Sequence, residues 1–156
     1  MKPLMKLRRS ATDADLRELL HSLPYVHFLG IDAQRRGDEL TFTLPFKDDL
    51  VGNTRLPALH GGAIGAFLET AAIVQMVWQT EAAVLPKTID FSIEYLRSGR
   101  ALDTFARAHV TKVGRRVGNV RVEAWQQEQQ RPIAAGYGHF LLTPAGDLEE
   151  AAVDGS

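Results

Sequence analysis

The chain has no cysteine among its 156 residues. That excludes disulfides, thiolate metal sites and a cysteine nucleophile. It has little net charge either: 18 Lys and Arg against 19 Asp and Glu leave −1 at pH 7. Without a general basic field, a nucleic-acid binder held mainly by phosphates is disfavoured. No uninterrupted apolar run reaches the roughly 18 residues that span a bilayer. The basic start, Met1 to Arg9, lacks the apolar core of about seven or more residues that a secretory signal carries. There is no Gly-x-Ser-x-Gly elbow and no grouping at metal-ligand spacing, against a serine α/β-hydrolase and a zinc hydrolase. The expectation is a soluble cytoplasmic protein with no cofactor, no metal, and no nucleic-acid or membrane partner.

What is present fits one globular domain over residues 1–156. An apolar share of 45% with 24% charged residues is ordinary for a packed core. Thr12 or Asp13 can cap a short helix running to about His21, with Leu16, Leu19 and Leu20 on one face and Pro24 ending it. Phe28 to Ala33 and Glu39 to Leu44 read as strands around the turn Arg35-Arg36-Gly37-Asp38, and Pro45 to Leu59 as irregular. Gly61 to about Gln79 is apolar nearly all round, the mark of a helix buried on all sides. After Pro86, Ile89, Phe91, Ile93 and Tyr95 alternate with polar residues at a period of two. Asp103 to Val113, Arg116 to Gln127 and Ile133 to Thr143 complete an antiparallel meander of three or four strands. The tail from about residue 145 to Ser156 reads as loose. One helix wrapped by a curved antiparallel sheet accounts for this order, making the class α+β.

Glu69 is the one ionisable residue inside the long helix. Gly62, Gly65, Ala66, Ala72, Ile73 and Met76 share its face, and four of these six are glycine or alanine, so a groove is expected beside the carboxylate. Glycine inside a helix costs about 1 kcal/mol against alanine, which points to something approaching the backbone closely. That something is a ligand, or simply a neighbouring strand. Glu69 itself is either paired structurally or functional. Leu59-His60-Gly61-Gly62 lies where the helix starts, and free N–H groups there stabilise negative charge developing on an oxygen. The alternative is an ordinary loop-to-helix junction with His60 packed or capping.

Together, His60-Gly61-Gly62 and a Glu eight residues after the first glycine resemble the hotdog-fold acyl-CoA thioesterases, nearest the phenylacetate-pathway and 4-hydroxybenzoyl-CoA type. Thr88 to Arg97 and Lys112-Val113-Gly114-Arg115-Arg116 resemble that family's strand and turn signatures, and the likeness covers roughly Phe28 to Thr143. It implies a hotdog fold and an acyl-CoA substrate, with the Gly61 N–H polarising the thioester carbonyl and Glu69 acting as nucleophile or general base. It places Thr88 where a Ser or Thr orients the attacking water. An assisting Asn or Gln normally stands six residues before the His; Thr54 occupies that position here and Asn53 the one before. His60 and Gly62 belong to the same site. The basic turns Arg97/Arg100 and Lys112/Arg115/Arg116 are candidates for the coenzyme A phosphates, and equally ordinary solvated turns. His109 and His139 fall in strand patterns and read as packed; Asp90 and Glu94 read as lining a polar or oligomer-facing sheet surface. Phe67, Met76 and Trp78 fit either an acyl groove or the core.

Spacing alone adds one constraint. Eight residues on a straight helix separate Gly61 from Glu69 by about 12 Å, whereas a nucleophile stands about 3 to 3.5 Å from the carbon it attacks. A two-fold pair of helices satisfies both and gives two equal sites. The resemblance implies the same: sites between subunits, with a homodimer as the minimum and a dimer-of-dimers tetramer as the common form. Two other readings stay open, a hotdog hydratase or dehydratase on acyl thioesters and a non-catalytic acyl-CoA-binding module.

Overall fold

The computed structural model describes residues 11–37, 39–80, 82, 84–144 and 147. Helix α1 runs Asp13–Ser22 behind a Thr12 cap, with Leu16, Leu19 and Leu20 buried. The Thr12 hydroxyl accepts the Asp15 N–H while the Asp15 carboxylate accepts from the Thr12 N–H and hydroxyl. The backbone bond first, then the hydroxyl, hold the Asp15 carboxyl below its ordinary range. Pro24 follows the end of α1 and also opens a second helix, α2 (Pro24–Leu29). The strand expected over Phe28 to Ala33 is therefore a helix in its first part. Proline suits a first helical position, which needs no N–H, and Gly30 at φ 73° closes α2 in the left-handed conformation that glycine adopts freely.

Strand β1 (Asp32–Arg36) takes in Arg35 and Arg36, which the sequence reading placed in the turn. It pairs with β2 (Glu39–Leu44), whose Leu40, Phe42 and Leu44 are buried as the alternation requires. The segment read as irregular holds a 3-10 turn, Asp48–Leu50, and a small hairpin of β3 (Val51–Asn53) and β4 (Ala58–Leu59). Then come α3 (Gly61–Thr80), β5 (Lys87–Tyr95), β6 (Thr104–Val113), β7 (Val117–Trp125) and β8 (Ala134–Leu141).

Six strands form one antiparallel sheet in the order β1-β2-β6-β7-β8-β5. β6 to β8 form the expected meander, but β5 lies beyond β8 at the open edge rather than beside β6. The sheet covers α3, whose Phe67, Leu68, Ala71, Val74 and Met76 are fully buried against Phe42, Ala106, Val122 and Phe140. By length and composition α3 could cross a membrane; here most of that stretch is buried in the protein as its core helix. The α+β class and the hotdog arrangement stand as read. The C-terminal tail lies outside the described residues apart from Asp147.

Candidate active site

The β3–β4 hairpin delivers the chain to the start of α3. Gly52 faces His60 so closely that a Cβ would stand 2.7 Å from the His60 Cα, so glycine is what lets β3 lie this close to the residue that follows β4. The Asn53 Oδ1 accepts the N–H groups of Arg55 and Leu56 at 3.0 and 3.3 Å, which fixes the amide with its Nδ2 donors turned away from that turn. Thr54, the position the family spacing favours, sits exposed in the turn.

His60 is the cap of α3. Its Nδ1 accepts the Gly62 N–H at 2.8 Å, which assigns the ring proton to Nε2. Gly62, expected to contact substrate, has thus committed its N–H to His60. The Gly61 N–H has no acceptor among the described residues. It stands at the positive end of a 20-residue helix, where a developing oxyanion is stabilised.

Glu69 sits half-buried two turns on, and accepts a hydrogen bond from the Thr88 hydroxyl at 2.6 Å. That contact depends on a β-bulge. Thr88 pairs with Phe140 and Asp90 with His139, leaving Ile89 between them unpaired. Strict alternation would turn Ile89 inward with Phe91, Ile93 and Tyr95. The bulge instead gives the inward place to Thr88 and leaves Ile89 55% exposed. A bulge that re-aims one side chain is a common device beside active sites.

The rest of the inward face of β5 closes on α3. Ile93 fills the space beside Gly65, where a Cβ would lie 2.8 Å from its Cδ1, and the His60 ring fills the space beside Gly62. The groove expected along these small residues is thus largely occupied by the chain's own side chains, and Ala72 is fully buried. Phe67, Met76 and Trp78 are core residues, at 0%, 0% and 7% exposure. At the end of β5 the Tyr95 hydroxyl donates to the Gly61 carbonyl at 2.7 Å. Sequence reasoning gave Tyr95 no role, although its place in the period-two pattern with Ile93 was the available signal.

The remaining candidates are scattered. Arg97 donates to the Pro132 carbonyl, Arg100 to Gln127, and Arg116 pairs with Asp147, while Lys112 and Arg115 are exposed. His109 is exposed rather than packed, and so is His139, whose Nδ1 lies 2.7 Å from Asp90 Oδ1 on the outer face of the sheet. A separate cleft opens where β2 and β6 cease pairing, with Gln75 among its lining residues. Gln75 stands six residues past Glu69 and about 120° away around the helix, so that cleft does not join the Glu69 site. No group of three or more potential metal ligands occurs among the described residues.

Comparison with known proteins bears on the family and the fold. The model of the thioesterase superfamily matches residues 56–133. The medium/long-chain acyl-CoA thioesterase YigI of Escherichia coli K12 is 30% identical over 125 residues, covering 70% of this chain and 80% of the relative. A solved structure from Chromobacterium violaceum is 42% identical, covers 85% of this chain and 97% of its own, and has a TM-score of 0.68. A Haemophilus influenzae thioesterase shares the fold at a TM-score of 0.77 and 21% identity, covering 90% of this chain and 96% of its own.

Proposed function

Because the chain belongs to the thioesterase superfamily, and is on that ground a thioester hydrolase, we propose that it cleaves acyl-CoA to free acid and coenzyme A at sites shared between two subunits. The observation that carries the reading is the hydrogen bond from Thr88 to Glu69, the one carboxylate on an otherwise uncharged core helix.

In this mechanism the Gly61 N–H of one subunit and the helix dipole polarise the thioester carbonyl. Asn53 Nδ2 is the second donor. Glu69 of the partner subunit attacks the carbonyl carbon directly, or takes a proton from the water that does, and Thr88 holds that water or the carboxylate in line. The carbon–sulfur bond breaks, and coenzyme A leaves as the thiol after taking up a proton. If Glu69 attacks, the resulting anhydride is opened by water in a second step. α3 is continuous from Gly61 to Thr80, which supports a shared site, since one straight helix keeps the two groups about 12 Å apart. The uncovered apolar residues of β5, Ile89 and Tyr95, favour a second copy at that edge, in a homodimer at least and a tetramer built from two. The basic turns supply the phosphate contacts, and Lys112 and Arg115 have no hydrogen-bond or ion-pair partner among the described residues. The protein acts in the cytoplasm without metal or cofactor.

The test is thiol release from purified protein over a panel of acyl-CoA esters, with and without a chelator. The curated relative acts on medium- and long-chain esters, so these head the panel, followed by short and aromatic ones. Release is expected to be unchanged by the chelator. No release from any ester would overturn the enzymatic reading.

A further inference from the structure

The start of α3 pairs two glycines, the residue with the widest conformational freedom, at a helix terminus where the backbone is held by few of its own bonds. The peptide between Gly61 and Gly62 is nevertheless held at both ends. Its carbonyl accepts the Tyr95 hydroxyl at 2.7 Å, and its N–H donates to His60 Nδ1 at 2.8 Å. The peptide before it, which carries the Gly61 N–H, is held through the His60 carbonyl by Ala63 and Ile64 N–H at 3.0 and 3.2 Å. Those two bonds exist only while Gly61 and Gly62 stay helical.

Tyr95 comes from 34 residues away on a strand seated on α3 through Ile93 and Gly65. Tyr95 is 54% exposed in the single chain, and cover of its ring by a second copy would not by itself call for a hydroxyl on the Gly61 carbonyl. We propose that Tyr95 is a positioning residue: with His60 it clamps the Gly61–Gly62 peptide and so fixes the direction of the one free N–H at the helix start. The inference rests on Gly61 being the oxyanion donor. His60 belongs to the same stretch of chain as the helix start, and helix ends in general fray, so Tyr95 is the tie from outside the helix. Its loss lets the donor wander without removing it.

Tyr95→Phe deletes the hydroxyl and keeps the ring. Removing an oxyanion donor outright costs about 10² to 10³ in kcat, so misaiming one is expected to cost roughly tenfold, with KM moving less than about twofold. The direct readout is vibrational. A ketone analogue of an acyl-CoA, with methylene in place of sulfur and ¹³C in the carbonyl, should show a lowered carbonyl stretch on binding the native protein. In Tyr95→Phe the stretch should move back toward that of free analogue. Tyr95→Met removes ring and hydroxyl together; it should match Phe in carbonyl frequency while unfolding at a lower temperature. Native kcat and native frequency in the Phe variant would overturn the inference, as would a Met variant whose frequency stays native. If the native protein itself leaves the stretch unshifted, the donor reading fails instead, and that outcome is separate from any effect of Tyr95.

Discussion

Glu69→Gln is expected to lose on the order of 10²-fold or more in turnover, the scale of a positioned acid–base group. The substitution keeps the size of the side chain and keeps an oxygen able to accept the Thr88 hydroxyl at its 2.6 Å position. What it removes is the charge, and with it both the nucleophile and the base. Affinity for the ketone analogue should therefore change little. Loss of turnover with binding retained would set Glu69 apart from a carboxylate kept only for packing; near-native turnover would return it to that structural role. A single turnover in ¹⁸O-water then separates the two chemistries, because label enters the Glu69 side chain only if that carboxylate attacks the carbonyl itself.

Gly61→Pro should cost about 10² to 10³ in kcat, the price of one oxyanion donor. Proline lacks the N–H yet is at home in the first turn of a helix. A Cβ at this position would meet the Tyr95 ring at 3.4 Å, an ordinary contact, so the fold should hold. Co-expressed with a Glu69→Ala chain under a different tag, it tests the shared site. If each site draws Gly61 from one chain and Glu69 from the other, a mixed dimer contains one site with both defects and one with neither. Random pairing makes about half the dimers mixed, so activity should return to about a quarter of native. Mixed dimers isolated through both tags yet no more active than either variant alone would place both groups in one chain. The thioesterase assignment would survive that result.

Those experiments turn on residues that differ in how far the sequence exposed them. α3 was legible from end to end because a helix with apolar residues all round must keep every face from water, and the strands that follow it in the sequence supply the cover. Glu69 stood out within it for the same reason. α2 was not legible: six residues carry too little periodicity, and Tyr25 and Phe28 are 58% and 65% exposed, so their apolar character pointed away from their environment. The alternation of β5 gave the inward place to Ile89, so Thr88 was named for the site only through the family resemblance and not through its local pattern. A bulge depends on pairing with β8, Thr88 with Phe140 and Asp90 with His139, and no local pattern reports a partner so far along the chain. The roles of Gly62 and Gly65 were visible only as a choice between ligand and neighbour. In the structure a side chain of the chain itself stands beside each, the His60 ring at Gly62 and Ile93 at Gly65.

The sheet order carries a consequence for how the protein is made. β5, which holds Glu69 through Thr88 and the helix start through Tyr95, has β8 as its strand neighbour, and β8 begins at Ala134. On a growing chain the helix and β5 leave the ribosome long before that neighbour exists. Chains emerge at about 5–20 residues per second, so the wait lasts seconds, many times longer than a helix or hairpin takes to form. During it, β5 presents a bare edge with Ile89 and Tyr95 at hand, the kind of strand that pairs with the wrong chain. Asp90 and Glu94 point outward on the same strand and keep it charged. The geometry of the proposed site then waits for β8, and a nascent chain halted before Ala134 holds Gly61, Glu69 and Thr88 without the strand that pairs with β5.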